Sequence, residues 1–383
     1  MSSQSTLSVY WDDSFLEHNP PAGEFELASS GRLAVDEPHP DRPERVQNIK
    51  HILDHELSEF LEWQSVEPAT IEQLSRVHTA SHISEFEEFC KNGGGRITAE
   101  TGANEASYTA ARHAAGASIQ AATDAMRTDV SERVPYALVR PSGHHAQPDQ
   151  IDGFCFFNNV AIAAEHLRAT DQAERIAIID WDVHHGNGIQ ETFYDRDDVL
   201  YVSIHNDHWS WDPDAHPQTG NTRENGTGDG VGYNVNIPLP PGAGDKGYEY
   251  VFNSLVSPIV ESFDPDVLLV SAGQDAGTMD PLGRNVVTKS GFEAMGQRVR
   301  KLATECADGH LALIQEGGYH LSHLGYATLG VLEGVLDVRT DVREDPFAWL
   351  DEDLDSVVSA THSVGADHAH HWPLSFTPST ERQ

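Results

Sequence analysis

Five short apolar runs recur along the chain, at residues 136–139, 175–179, 199–204, 266–270 and 311–314. Each is unbroken by polar alternation, and each is followed by a loop rich in glycine and polar residues. Continuous apolar runs of this length are what parallel strands buried on both faces require. Between them lie stretches with apolar residues at helical spacing: an alanine-rich one at 103–126, then 158–169 and 290–307. Strands alternating with helices predict an α/β fold in three layers, with a mostly parallel central sheet and helices on both faces. No internal repeat or linker divides residues 1–383, so one domain is expected, its core at about 10–336. The polar, acidic extension at about 351–383 is expected to pack weakly or fray.

Composition narrows the class. The cysteines are three, Cys90, Cys155 and Cys306, with no CxxC pair. A cysteine-built zinc site is thereby excluded, a disulfide framework is disfavoured, and a reducing cytoplasm is the expected compartment. The first residues have no basic region followed by an apolar run, and no segment reaches the length of a membrane span. The formal net charge is −37, spread along the chain, and lysine is confined to Lys50, Lys91, Lys246, Lys289 and Lys301. An acidic, lysine-poor surface suits concentrated salt, where the Debye length falls to about 3 Å at 1 M and self-repulsion is screened. A halophilic cytoplasm is the expected setting. The absence of a basic patch argues against direct nucleic-acid binding.

The chemistry-bearing residues fall just after the predicted strands. In open parallel sheets, ligands bind outside the carboxyl ends of the strands, so these loops are expected to converge on one site. Asp182 and His184 sit two apart at a strand end, on one face by alternation. Asp275, after another strand, is the natural third ligand for a metal ion. Three protein ligands with a position left open for water is the catalytic arrangement of zinc, and iron or cobalt also suit Asp/His ligation. His144 and His145 are placed for proton transfer, with Asp180 and Asn187 able to orient the two rings differently. Tyr319, after Gly317 and Gly318, is a candidate hydrogen-bond donor to an oxyanion.

The sequence resembles the histone deacetylase family of the arginase–deacetylase fold, closest to its class II-like bacterial and archaeal amidohydrolases. The motifs are RPSGHHA (140–146), GFCFFNN (153–159), DWDVHHGNG (180–188), residues 228–238, SAGQD (271–275) with DPLG (280–283), and EGGY (316–319). The resemblance implies zinc on Asp182, His184 and Asp275, proton transfer by His144 and His145, and transition-state hydrogen bonding by Tyr319. It implies an acyl-lysine tunnel with Gly153 and Phe154 as one wall, Trp209 or Trp211 opposite, and Leu282, Gly317 and Gly318 beside it. Arg45, in HPDRPER (39–45), matches the position beneath the site that helps release acetate. A potassium ion is implied at Asp180, Asp182, His184, Ser203 and Ile204, and a second near Phe193, Val199 and Tyr233.

The implied activity is metal-dependent hydrolysis of the amide of acylated lysine or a related acylated amine. An acetylpolyamine or small-metabolite amidohydrolase is the alternative, and a non-catalytic acyl-lysine binding subunit is a further one. A homo-oligomer is left open. Leu282, where the polyamine-selective branch carries Glu, weighs against a polyamine substrate. Gln274 stands where Phe is usual and makes the tunnel floor, or the layer behind it, more polar. Residues 206–219 do not align cleanly with the family. The cluster of His362, His368, His370 and His371 reads as a solvated tail, and His78 and His82 as structural.

Overall fold

The computed structural model describes residues 5–127, 133–207, 219–342 and 351–374. The strands are β1 (Thr6–Tyr10), β2 (Leu61–Gln64), β3 (Gly95–Arg96), β4 (Gly102–Ala103), β5 (Arg133–Ala137), β6 (Ile176–Asp180), β7 (Val199–Asn206), β8 (Asn234–Leu239), β9 (Val267–Ala272) and β10 (Leu311–Gln315). Eight of them form one sheet in the order β2-β1-β5-β10-β9-β6-β7-β8, every pairing parallel. β3 and β4 make a separate antiparallel pair.

Strand side chains alternate between two apolar layers, as the pleat demands. Ala177, Ile179, Leu200, Val202, Leu268 and Val270 face one cluster, packed with the helices Glu44–Glu56, Lys289–Cys306 and Leu321–Leu336. Ile176, Ile178, Val199, Tyr201, Val267 and Leu269 face the other, packed with the helices Ser107–Ala125 and Asn159–Ala169. The three predicted layers are therefore present. The helix boundaries fall within a few residues of the predicted ones, and Asn158 proves to be an N-cap whose side chain accepts from the Ala161 amide.

The C-terminal extension departs from its expectation. Leu354–His368 is a helix with Val357, Thr361, Val364 and His368 buried at helical spacing. It packs against β8 and the Asp245–Val251 helix, and just beyond its end Trp372 Nε1 donates to the Gly232 carbonyl at 3.0 Å and its ring meets Tyr233 edge-on. His368 is fully buried and is no part of a solvated tail. Among the described residues no helix is long and apolar enough to cross a membrane.

Candidate active site

Strands β5, β10, β9, β6 and β7 are consecutive neighbours in the sheet. Their carboxyl ends carry His144 and His145, Tyr319, Asp275, the 182–184 pair, and His205 in that order. Five loops far apart in sequence thus meet over one stretch of sheet edge, as the open α/β architecture allows.

At the centre, His184 Nδ1 lies 3.1 Å from both Asp182 Oδ1 and Asp275 Oδ2. Ligand atoms of these three residues all fall within 4.8 Å of one another; among the described residues no other group of His, Cys, Asp or Glu is so arranged. The backbone fixes the carboxylates. Gly317 N–H donates to Asp182 Oδ2 at 2.8 Å, and Val183 N–H donates to Asp275 Oδ1 at 2.7 Å. Gly317 has to be glycine, because a Cβ there would overlap an oxygen of each carboxylate. The donor set fits a divalent cation of the zinc class: two carboxylate oxygens and one imidazole nitrogen, converging and buried.

Electrostatics supports the same fit. Burial and the neighbouring Asp182 charge push Asp275 up to about 7. Asp182 itself is held low: burial acts to raise it, but the charge of His144 and the hydrogen bond from His184 overcome this. His184 is raised well above its ordinary value, the pull of Asp182 and Asp275 outweighing burial.

The two histidines sit in different surroundings. His144 Nδ1 is 3.2 Å from Asp180 Oδ2, and its Nε2 is 3.7 Å from Asp182 Oδ1. Burial lowers its basicity, but Asp182 and Asp180 carry it up to about 10. His145 Nδ1 lies 2.7 Å from Asn187 Oδ1. Burial and the charges of His144 and His184 push it well below its ordinary value. Adjacent rings, 4.0 Å between centroids, are thereby split in proton affinity.

Tyr319 is held from three sides. Its backbone N–H donates to Asp280 Oδ2 at 2.6 Å, the Arg45 guanidinium lies 4.5 Å from its ring centre, and the Phe154 ring meets it edge-on at 5.7 Å. Burial keeps its hydroxyl protonated well above 10. Beneath, Arg45 donates from Nε to the Gly318 carbonyl at 2.5 Å and from Nη2 to the Glu316 carbonyl at 2.9 Å.

His145, Gly153, Phe154, His184, Leu282 and Tyr319 line a cavity of about 150 Å³, together with Glu26, Glu100, Asp152 and Arg284. Ser203 and Ile204 lie on β7, where Ser203 is the register partner of Asp180. Phe193 and Val199 are buried, and the Tyr233 carbonyl accepts from the Tyr201 amide at 2.9 Å. Trp209 and Trp211 lie outside the described residues. Gln274 is behind the tunnel: its side chain joins Gln315 at 2.7 Å, and Gln315 accepts from the Tyr136 hydroxyl at 2.5 Å.

Residue-by-residue reading gave no role to Glu316, which is fully buried and accepts from the Gly143 and His144 amides at 2.7 and 3.2 Å. Its position directly after an apolar run was the available signal. Tyr201, whose hydroxyl donates to Asp180 Oδ2 at 2.9 Å, left none, being one more apolar residue of a buried strand.

Comparison with known proteins gives the family. Residues 39–335 match the Histone deacetylase domain family. The chain belongs to the histone deacetylase family. It is 40% identical to Histone deacetylase 8 of Arabidopsis thaliana, over 96% of this chain and 98% of the relative. It is 39% identical to the Histone deacetylase-like amidohydrolase of Pseudomonas aeruginosa, over 80% of this chain and 79% of that protein. The Probable deacetylase of Archaeoglobus fulgidus is 36% identical over 82% of this chain and 87% of its own length. Among solved structures, the crystal structure of the HDA15 HD domain superimposes with a TM-score of 0.81 at 33% identity, over 96% of each chain. This member of the histone deacetylase family is a hydrolytic deacetylase.

Proposed function

We propose that this deacetylase hydrolyses the amide of N-acetyl-lysine or a related N-acylated amine, with one zinc-class ion held by Asp182, His184 and Asp275. The observation that carries the reading is the convergence of those three ligand atoms on the cavity lined by His145 and Tyr319. A cation held there supplies Lewis-acid polarisation of the amide carbonyl and makes water more acidic. His145, poised neutral, accepts the proton of the attacking water. His144, backed by Asp180, carries the positive charge and delivers a proton to the leaving amine. Tyr319 donates a hydrogen bond to the carbonyl oxygen as it becomes an oxyanion. Phe154 and Leu282 give the acyl-bearing chain apolar walls.

Potassium at Asp180, Asp182, His184, Ser203 and Ile204, and at a second position near Phe193, Val199 and Tyr233, belongs to the same reading, as does a salt-rich cytoplasm. The chain-wide charge of −37 supports the salt-adapted setting. Metal analysis of the native protein, with turnover of acetyl-lysine peptides in potassium-rich buffer, tests the proposal. Stoichiometric zinc, iron or cobalt with chelator-sensitive turnover is expected; full activity in the metal-stripped chain would refute it.

One observation favours a second reading. Glu26, Glu100 and Asp152 line the cavity, with Arg284 the one Lys or Arg among its described lining residues, an acidic lining suited to a small cationic acylamine such as an acetylated polyamine. Faster turnover of acetylspermidine or acetylputrescine than of acetyl-lysine peptides would select it.

A further inference from the structure

Residues 152–155 form a tight turn closed in both directions, Asp152 N–H to the Cys155 carbonyl at 3.3 Å and Cys155 N–H to the Asp152 carbonyl at 2.8 Å. Both central residues have positive φ, 49° at Gly153 and 66° at Phe154, as a mirror-image turn requires. Gly153 is further confined, because a Cβ there would overlap the His145 ring. The turn carries Phe154 into the tunnel wall at its tip and Asp152, 8% exposed, at its base. Asp152 Oδ2 accepts from Asn187 Nδ2 at 3.1 Å, and Asn187 Oδ1 faces His145 Nδ1 at 2.7 Å.

An asparagine amide can present either its oxygen or its nitrogen to a neighbour, and the choice is set by the hydrogen-bond network around it. With oxygen toward His145, Nδ1 carries the proton and Nε2 keeps a lone pair. With the amide reversed, Nδ2 donates to Nδ1, the proton moves to Nε2, and that nitrogen cannot accept another. Asp152, as a carboxylate, only accepts, so it holds the NH2 group and leaves the oxygen for His145. We propose that Asp152 is a positioning residue: by fixing the orientation of Asn187 it fixes the His145 tautomer that can take a proton from water. The proposal rests on the reading of His145 as proton acceptor. The turn that builds the tunnel wall then also sets the base, so wall and base are one rigid unit.

The test replaces Asp152 in two backgrounds. Asp152→Leu removes the acceptor, and Asp152→Ser shortens it while keeping the turn, whose closing bonds are backbone to backbone. Both are expected to lower kcat by about 10- to 100-fold, with KM within about threefold, as for other partners that orient catalytic imidazoles. In an Asn187→Asp background, residue 187 accepts from either oxygen and needs no orienting, so the same substitutions are expected to cost less than about threefold. In 15N-histidine-labelled protein, assigned against His145→Gln, the Nδ1–H form of His145 is expected in the wild type and a mixed population after Asp152→Leu. An equal loss in both backgrounds, kcat within twofold of wild type, or an unchanged tautomer would overturn the proposal. Should the wild-type chain turn over no acyl substrate, the tautomer populations would still decide for or against Asp152, while the deacetylase reading would fall separately.

Discussion

Replacing Tyr319 with Phe removes one oxygen and little else. The aromatic ring keeps its place over Arg45, its edge contact with Phe154, and the backbone bond to Asp280, since none of these involves the hydroxyl. Stability is therefore expected to change by less than about 1 kcal/mol. For a chain of 383 residues the unfolding entropy is about 0.8 kcal/mol/K, so Tm should move by roughly 1 °C or less. The catalytic effect is of another size. A donor aimed at a developing oxyanion is worth about 2.7–4 kcal/mol, so kcat should fall by about 10²–10³-fold. The amide oxygen is a weaker acceptor before attack, so KM should stay within a few-fold. The hydroxyl is held protonated by burial, so the loss should be the same across the working pH range. Steady-state kinetics on an acetyl-lysine peptide, with a thermal melt of the same preparation, measures all of this. A fall in kcat of less than about tenfold, or a rise in KM at constant kcat, would show that Tyr319 serves ground-state binding and not the transition state.

Three other outcomes follow from the same site. A cation at about 1,000 times its Kd stabilises the fold by about 4.1 kcal/mol, so chelation should lower Tm by about 5 °C, and Asp182→Ala should abolish the response; a melt with and without chelator reads both. Cation affinity should weaken as pH falls, because Asp275 and His184 are both raised above their ordinary values and each must lose its proton to bind; titration calorimetry in buffers of different ionisation enthalpy should show proton release, and pH-independent affinity would contradict it. Arg45→Met strands the buried Gly318 carbonyl, leaves the Glu316 carbonyl to Gln315 and leaves Asp41 to Arg140 and His18, so a loss of about 1–3 kcal/mol and a Tm drop of about 1–4 °C are expected in a melt.

The strands that carry the site were legible because each is a continuous apolar run, and the loops because each run ends in His, Asp or Gly. β8 was harder: Asn234 and Asn236 look like surface positions, yet both are buried and donate to Gln190 at 2.9 and 2.7 Å. Periodicity cannot see buried amides whose donors find a partner more than forty residues away in the chain. The C-terminal helix was misjudged for a related reason. Its buried stripe is Val357, Thr361, Val364 and His368, so half of the helical spacing is polar and the pattern does not stand out. Gln274 shows the limit within the site itself: its identity suggested polarity, but only the contact with Gln315, forty-one residues on, places that polarity behind the tunnel. The relay from Asp152 through Asn187 joins residues thirty-five apart by a side-chain contact that no local pattern encodes.

Asp180, Asp182, Asp275 and Glu316 are all fully buried within one small region at the strand ends. Gathering four carboxylates in low dielectric is costly unless each oxygen finds a donor or a cation. The donors are mostly backbone amides of the very loops that carry the acids. Asp182 N–H serves Asp180 at 3.1 Å, His184 N–H and Gly317 N–H serve Asp182, Val183 N–H serves Asp275, and the Gly143 and His144 amides serve Glu316. Amides can converge on neighbouring acids in this way only if the loops hold fixed, close-approaching conformations. This explains why glycines recur beside the acids, and why a Cβ at Gly273 or Gly317 would strike Asp182. Backbone donors are neutral and orient the carboxylates without cancelling their charge. The residual negative charge collects where Asp182 and Asp275 face each other across His184, and there the donor set fits a metal ion.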